Sequence, residues 1–206
     1  MKTFITIIFF LSLHYLSNAQ VDMLLTTDKK IYAKIKELKA KNVDTIISYY
    51  IGCSNCDFIL RVPNDTSCHT YEQKYLIWHQ DHQYYLERFD DCKEYNPLVI
   101  NSAPYELLIR NYSKILKERI RTPEFIKIVN GKRELLHSSD NDYPYYIIKI
   151  YVGNKIIKKD IDEYDLNTKY LDGKHPNRNY LPNQRSALNK LKTLIEKEVL
   201  PHYPDK

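Results

Sequence analysis

The sequence predicts an α+β protein: an antiparallel β-sheet of hairpins and meander, packed by about three helices and stapled by disulfides. Three observations carry that reading. Apolar residues recur at helical spacing in three separate stretches, most clearly at Tyr105, Leu108, Ile109, Tyr112, Ile115, Leu116 and Ile120. Between them lie β-branched and aromatic runs joined by short turn sequences, as antiparallel strands are. All four cysteines, Cys53, Cys56, Cys68 and Cys92, follow an N-terminal stretch with the layout of an export signal, and exported thiols usually pair.

That N-terminal stretch is Met1-Lys2, an apolar block from Phe4 to Leu16, then Ser17-Asn18-Ala19 before Gln20. A basic start, an apolar core and small residues at its end make a secretory signal peptide, with cleavage expected after Ala19. As a retained anchor the block is too short, since a spanning helix needs about 20 apolar residues and Ser12 and His14 interrupt this one. The expected product is a secreted or periplasmic protein with no transmembrane helix once the signal is removed. Residues 20–206 suit a single domain, divisible into halves at 28–92 and 102–161 of one helix and about four strands each, with a C-terminal helix over 183–200.

The first helix is predicted over 28–41, with Asp28 as N-cap and Ile31, Ile35 and Leu38 on its inner face. Val43–Ile51 reads as a strand, and Phe58–Val62 as a shorter one ended by the loop Pro63-Asn64-Asp65-Thr66-Ser67. Tyr75–Trp78 and Tyr84–Phe89 form a hairpin across a longer loop, His79–Gln83. Ser102 opens the second helix, whose first turn tolerates Pro104. Four strands then follow as a meander: Phe125–Val129, an Asn130-Gly131 type I′ turn, Lys132–Ser138, Tyr145–Val152, and Lys155–Ile161 after Gly153-Asn154. Asp165–Asn183, with Gly173, Pro176 and Pro182, is expected to be an irregular loop. Ala187, Leu188, Leu191, Leu194, Ile195 and Val199 share one face of the last helix, which Pro201 and Pro204 end. A helix followed by an antiparallel meander is similar in element order to cystatin-like folds, a likeness that carries no function.

Composition narrows the function classes. The chain is 43% hydrophobic and 28% charged, which excludes a disordered chain. Its formal charge of +5 is small and dispersed along the sequence, and so argues against nucleic-acid binding. The densest basic run is Lys29, Lys30, Lys34, Lys36, Lys39 and Lys41. It reads as a solvated helix face, or more sharply as a contact for an acidic surface or lipid headgroups. Only 4 glycines leave no room for a glycine-rich phosphate loop.

Cys53-Ser54-Asn55-Cys56 is the motif with most chemistry in it. Over Lys29–Cys56, helix, strand and CxxC follow in an order that resembles the thioredoxin-like pattern, which implies thiol–disulfide exchange at Cys53 and Cys56. The chain departs from that pattern at Pro63, which interrupts the helix the motif should open, and no Cys-Gly-Pro-Cys form is present. Structural bridges among Cys53, Cys56, Cys68 and Cys92 are the stronger expectation, with three connectivities open. A zinc site on Cys53, Cys56, Cys68 and His69 lacks ligand spacing for its second pair.

His79 and His82 with Asp81, the acidic run Asp160, Asp162, Glu163 and Asp165, and His137-Ser138-Ser139-Asp140 match no metal or triad frame. Tyr49, Tyr50, Tyr75, Trp78, Tyr84 and Tyr85 fall on strands, as packing groups or as an aromatic face for a protein or glycan. The sequence thus points to an exported, non-catalytic binding or envelope-associated protein that uses a sheet face or the Asp165–Asn183 loop, with a protein or glycan partner and neither cofactor nor metal. Thiol–disulfide exchange is the alternative.

Overall fold

The computed structural model describes residues 26–53, 73–90, 94–140 and 142–202. Cys56, Cys68 and Cys92, the export signal and the expected strand Phe58–Val62 lie outside the described residues. The architecture is α+β, with a large antiparallel sheet and five helices among the described residues.

Helix α1 (Thr26–Ala40) starts two residues before the expected cap, so Asp28 sits in its first turn, where its carboxylate accepts from Lys74 Nζ at 2.8 Å. The helix ends on Asn42, whose φ of 62° lets the chain turn left-handed. Val43 N–H then reaches Leu38 O at 3.0 Å, and both side chains pack in the same core.

Strands β1 (Thr45–Cys53), β2 (Gln73–Gln80), β3 (Gln83–Phe89) and β4 (Leu98–Ile100) are followed by helix α2 (Ala103–Lys117). The loop expected at His79–Gln83 shrinks to Asp81-His82, because Gln80 pairs directly with Gln83. Both turn residues carry positive φ, 50° and 64°, which is the type I′ geometry that matches strand twist. At α2, Ser102 makes no side-chain cap; Asn101 Oδ1 instead accepts from Ala103 N at 2.8 Å.

The expected four-stranded meander divides. Strands β5 (Glu124–Val129) and β6 (Lys132–His137) form a separate two-stranded ribbon across Asn130-Gly131. Strands β7 (Pro144–Val152) and β8 (Lys155–Asp162) join the main sheet, whose order is β4-β3-β2-β1-β7-β8. Strand β1 is therefore central, antiparallel to β2 on one side and to β7 on the other, and the sheet runs through both halves of the chain. Gly52 lies where this ladder needs no side chain: a Cβ there would come within 2.6 Å of the Tyr145 ring.

The alternation of each strand sorts two cores. Ile47, Tyr49, Tyr75, Ile77, Leu86, Ile148 and Ile150 face α2 and the C-terminal helix through Leu108, Ile115, Leu188, Leu191, Ile195 and Val199. Ile46, Leu76, Trp78 and Phe89 face α1 through Ile31, Ile35 and Leu38. Helices thus cover both faces of an all-antiparallel sheet.

The expected loop at Asp165–Asn183 is mostly ordered into short elements: α3 (Glu163–Asn167), β9 (Tyr170–Leu171), β10 (His175–Pro176) and α4 (Tyr180–Gln184). The last helix, α5 (Ala187–His202), runs one residue past Pro201 rather than stopping at it. Among the described residues no helix is long and apolar enough to cross a membrane.

Candidate anion-binding cleft

The extended segment after α2 and the segment 177–186 are held together by three asparagine side chains. Asn183 Oδ1 accepts from Arg121 N at 3.0 Å, and its Nδ2 donates to Arg121 O at 2.8 Å and Asp165 O at 3.0 Å. Asn179 Nδ2 donates to Thr122 O at 2.9 Å. Asn177 Oδ1 accepts from Glu124 N and Asn179 N, while its Nδ2 donates to Thr168 O. All three residues are buried, so these amides replace water as partners of backbone groups that no sheet or helix satisfies. A short amide side chain carries both a donor and an acceptor, which suits it to stitch two irregular strands of backbone.

The stitched segments meet the end of α2 and the start of α5. Ser186 Oγ accepts from Asn189 N at 3.0 Å and so caps α5, and Glu118 Oε2 accepts from Leu188 N at 3.1 Å. At the other helix, Lys159 Nζ lies 2.8 Å from both Leu116 O and Glu118 O, closing the carbonyl end of α2. Burial holds the Lys159 ammonium below its ordinary range, with the Glu118 carboxylate acting against the shift.

Between these elements opens a cleft of about 680 Å³. Its floor is buried and polar: Asn179, Asn183 and Ser186. Its rim is exposed and basic, with Lys114 and Lys117 from α2, Arg119 and Arg121 from the following segment, and Arg178 from the facing one. Glu118 and Glu124 are the two carboxylates in the lining. Glu118 is already committed to Leu188 N–H and lies 3.6 Å from Lys114 Nζ. Among the described residues no carboxylate reaches ion-pair range of Lys117, Arg119, Arg121 or Arg178. Unpaired guanidinium groups around a concave polar floor are donors without acceptors, a ready arrangement for an oxyanion.

The Asp165–Asn183 segment contributes Arg178, Asn179, Pro182 and Asn183 to the cleft, whereas the other residues singled out in the sequence fall elsewhere. Cys53 is the last residue of β1, and its three possible partners lie outside the described residues. The basic run on α1 is largely committed within the protein: Lys30 Nζ donates to Asp90 O, Lys34 pairs with Glu37 and Glu87, Lys39 Nζ donates to Gly153 O, and Lys41 pairs with Glu37. Glu87 is buried beside Lys34, and burial pushes its carboxyl above the ordinary range. His79 packs on Tyr84 and Tyr105, whereas His82 sits exposed in the turn.

Of the acidic run, Asp160 pairs with Lys158 and Asp162 caps α3 by accepting from Tyr164 N. Glu163 accepts from the Tyr146 hydroxyl and from Asn167 Nδ2. Ser138 Oγ pairs with Tyr164 OH at 2.6 Å. Among the described residues no His, Cys, Asp and Glu side chains gather as a metal site.

The strand aromatics act as packing. Tyr49 and Tyr75 are fully buried, and Tyr49 stacks on Tyr146 with ring centroids 6.0 Å apart. Burial first, and then Glu196, raises the Tyr49 hydroxyl far above its ordinary pKa, so it serves as a neutral donor to Glu196 at 3.1 Å.

The basic cleft escaped the linear reading because its cations are divided between 114–121 and 178. The signal available was the basic run Lys114, Lys117, Arg119, Arg121 through and past the end of an amphipathic helix. No family model, no curated protein and no solved structure matches this chain.

Proposed function

We propose that the protein is a non-catalytic binding protein that takes an anionic ligand in the basic cleft. The observation that carries this is the surplus of five cationic side chains over two carboxylates around one concavity, four of the cations having no ion-pair partner among the described residues. A protein that keeps such a cluster bears like-charge repulsion, which an incoming anion relieves. Export rests on the signal-like Met1–Gln20 segment. In an exporting compartment Cys53, Cys56, Cys68 and Cys92 are expected to pair, each bridge contributing about 3 kcal/mol.

The test is thermal melting with sulfate, citrate and pyrophosphate at low ionic strength, on the natural protein and on Arg121→Gln/Arg178→Gln. Both arginines are exposed, so the double variant is expected to fold. At least one anion should raise the melting temperature of the natural protein. The rise should vanish in the variant and fade in salt, because exposed charges are screened beyond about 10 Å at 0.1 M. If no anion stabilises the protein, this reading fails.

A further inference from the structure

We infer that the cleft is built for a compact, multiply phosphorylated group without an aromatic or apolar body. The inference rests on the anion-binding reading and narrows it.

Charge comes first. The lining has five cations and two carboxylates, a formal surplus of three positive charges. A monoanion leaves most of that surplus uncompensated, whereas a group carrying several negative charges in a small volume matches it. Geometry comes second. Arg119 and Arg121 rise from one segment and Arg178 from the segment stitched against it by Asn177, Asn179 and Asn183. Three guanidinium forks on two separate segments suit tetrahedral oxyanions, which offer three or more oxygens over a range of directions. A lone planar carboxylate offers two. The character of the lining comes third. Among the described residues no aromatic side chain lines the cleft, and Pro182 is the one apolar residue of the lining. A nucleobase is held by stacking on an aromatic face, and the apolar face of a sugar ring likewise needs apolar surface to cover it. Neither is provided here. The floor of Asn179, Asn183 and Ser186 is polar, as a charged group that keeps part of its hydration requires.

The same chemistry is available from two sources, a soluble phosphate compound or the phosphate headgroup of a lipid, and the experiment separates them. Isothermal titration at neutral pH and low salt compares pyrophosphate with citrate, two polyanions of similar charge. Sedimentation compares vesicles containing diacylglycerol pyrophosphate with phosphatidylcholine vesicles. Each is run on the natural protein and on Arg121→Gln/Arg178→Gln. The expected result is pyrophosphate binding at least about tenfold tighter than citrate, a preference lost in the variant. Sedimentation with diacylglycerol-pyrophosphate vesicles alone, also lost in the variant and without pyrophosphate binding, supports the same chemistry from a headgroup.

Citrate binding as tightly as pyrophosphate overturns the phosphate inference and leaves the anion-binding reading standing. Pyrophosphate binding unchanged in the variant overturns the site. Binding of neither anion, and of neither vesicle, fails both readings together.

Discussion

At the scale of single residues, Asn183 decides more than its size suggests. One buried amide satisfies three backbone groups, on Arg121 and Asp165, and these are the contacts that set the two basic segments side by side. Asn183→Ala leaves those partly buried groups without their partner, and is expected to cost about 2–4 kcal/mol, since each such group costs roughly 1–3 kcal/mol and neighbours share relaxation. Urea unfolding measures it. A loss below the cost of one buried group would show that water replaces the amide and that the stitch is dispensable. None of this was visible in the sequence. Asn, Pro and Gly between Asp165 and Asn183 read as loop-formers, and they are; what composition cannot tell is that three of the asparagines turn inward and order the loop.

At the scale of elements, turn chemistry explains both what was legible and what was not. Asn130-Gly131 announced its hairpin because both residue types accept positive φ, and the structure holds them at 50° and 75°. Asp81-His82 adopts the same kind of turn with no glycine to reveal it, so the sequence suggested a longer loop. His82 is held at a φ of 64°, a region that is strained for an L side chain even though His enters it more readily than most, and that glycine adopts freely. Asp81→Asn/His82→Gly is therefore expected to raise stability by about 1 kcal/mol. A melting temperature that falls would mean the His82 side chain contributes more than its backbone costs.

The α2 stripe shows the opposite limit of sequence reading. Leu108 and Ile115 are fully buried as its periodicity demands, while Ile109 and Leu116 on the same stripe are 53% and 45% exposed. Two helices share that face of the sheet, and each covers only part of the other's apolar arc.

For the whole molecule, partly buried carboxyls set the response to pH. Burial, with a lesser push from Asp162, raises the Asp165 carboxyl to about 6 from an ordinary 3.8. Burial raises Asp162 and Glu87 as well, while Lys41 lowers the exposed Glu37. Below its ordinary pKa, Asp165 is protonated in both folded and unfolded chains and costs nothing. Between the two values only the folded form holds the proton, so stability falls as pH rises through this window. Above about 6 the folded protein carries the cost of a partly desolvated charge. Asp165→Asn is thus expected to melt higher than the natural protein near pH 8, with the gap narrowing near pH 4. Melting curves at the two pH values check this, and a gap that widens on acidification would show that Asp165 is held as a stabilised anion.

The centre of the sheet carries a consequence for how the chain acquires its shape. The β1–β7 ladder pairs Cys53 with Pro144 and Thr45 with Val152, so its formation closes a loop of roughly ninety residues and carries a corresponding entropic cost. The core on that face is then sealed by α5, which is among the last described segments. A chain made from its N-terminus therefore presents β1 with one edge unpaired and one face uncovered until most of its length exists. Such an edge invites pairing with another copy. The middle of this protein is the last part to become safe, and delivering the chain unfolded across a membrane would postpone that moment until synthesis is over.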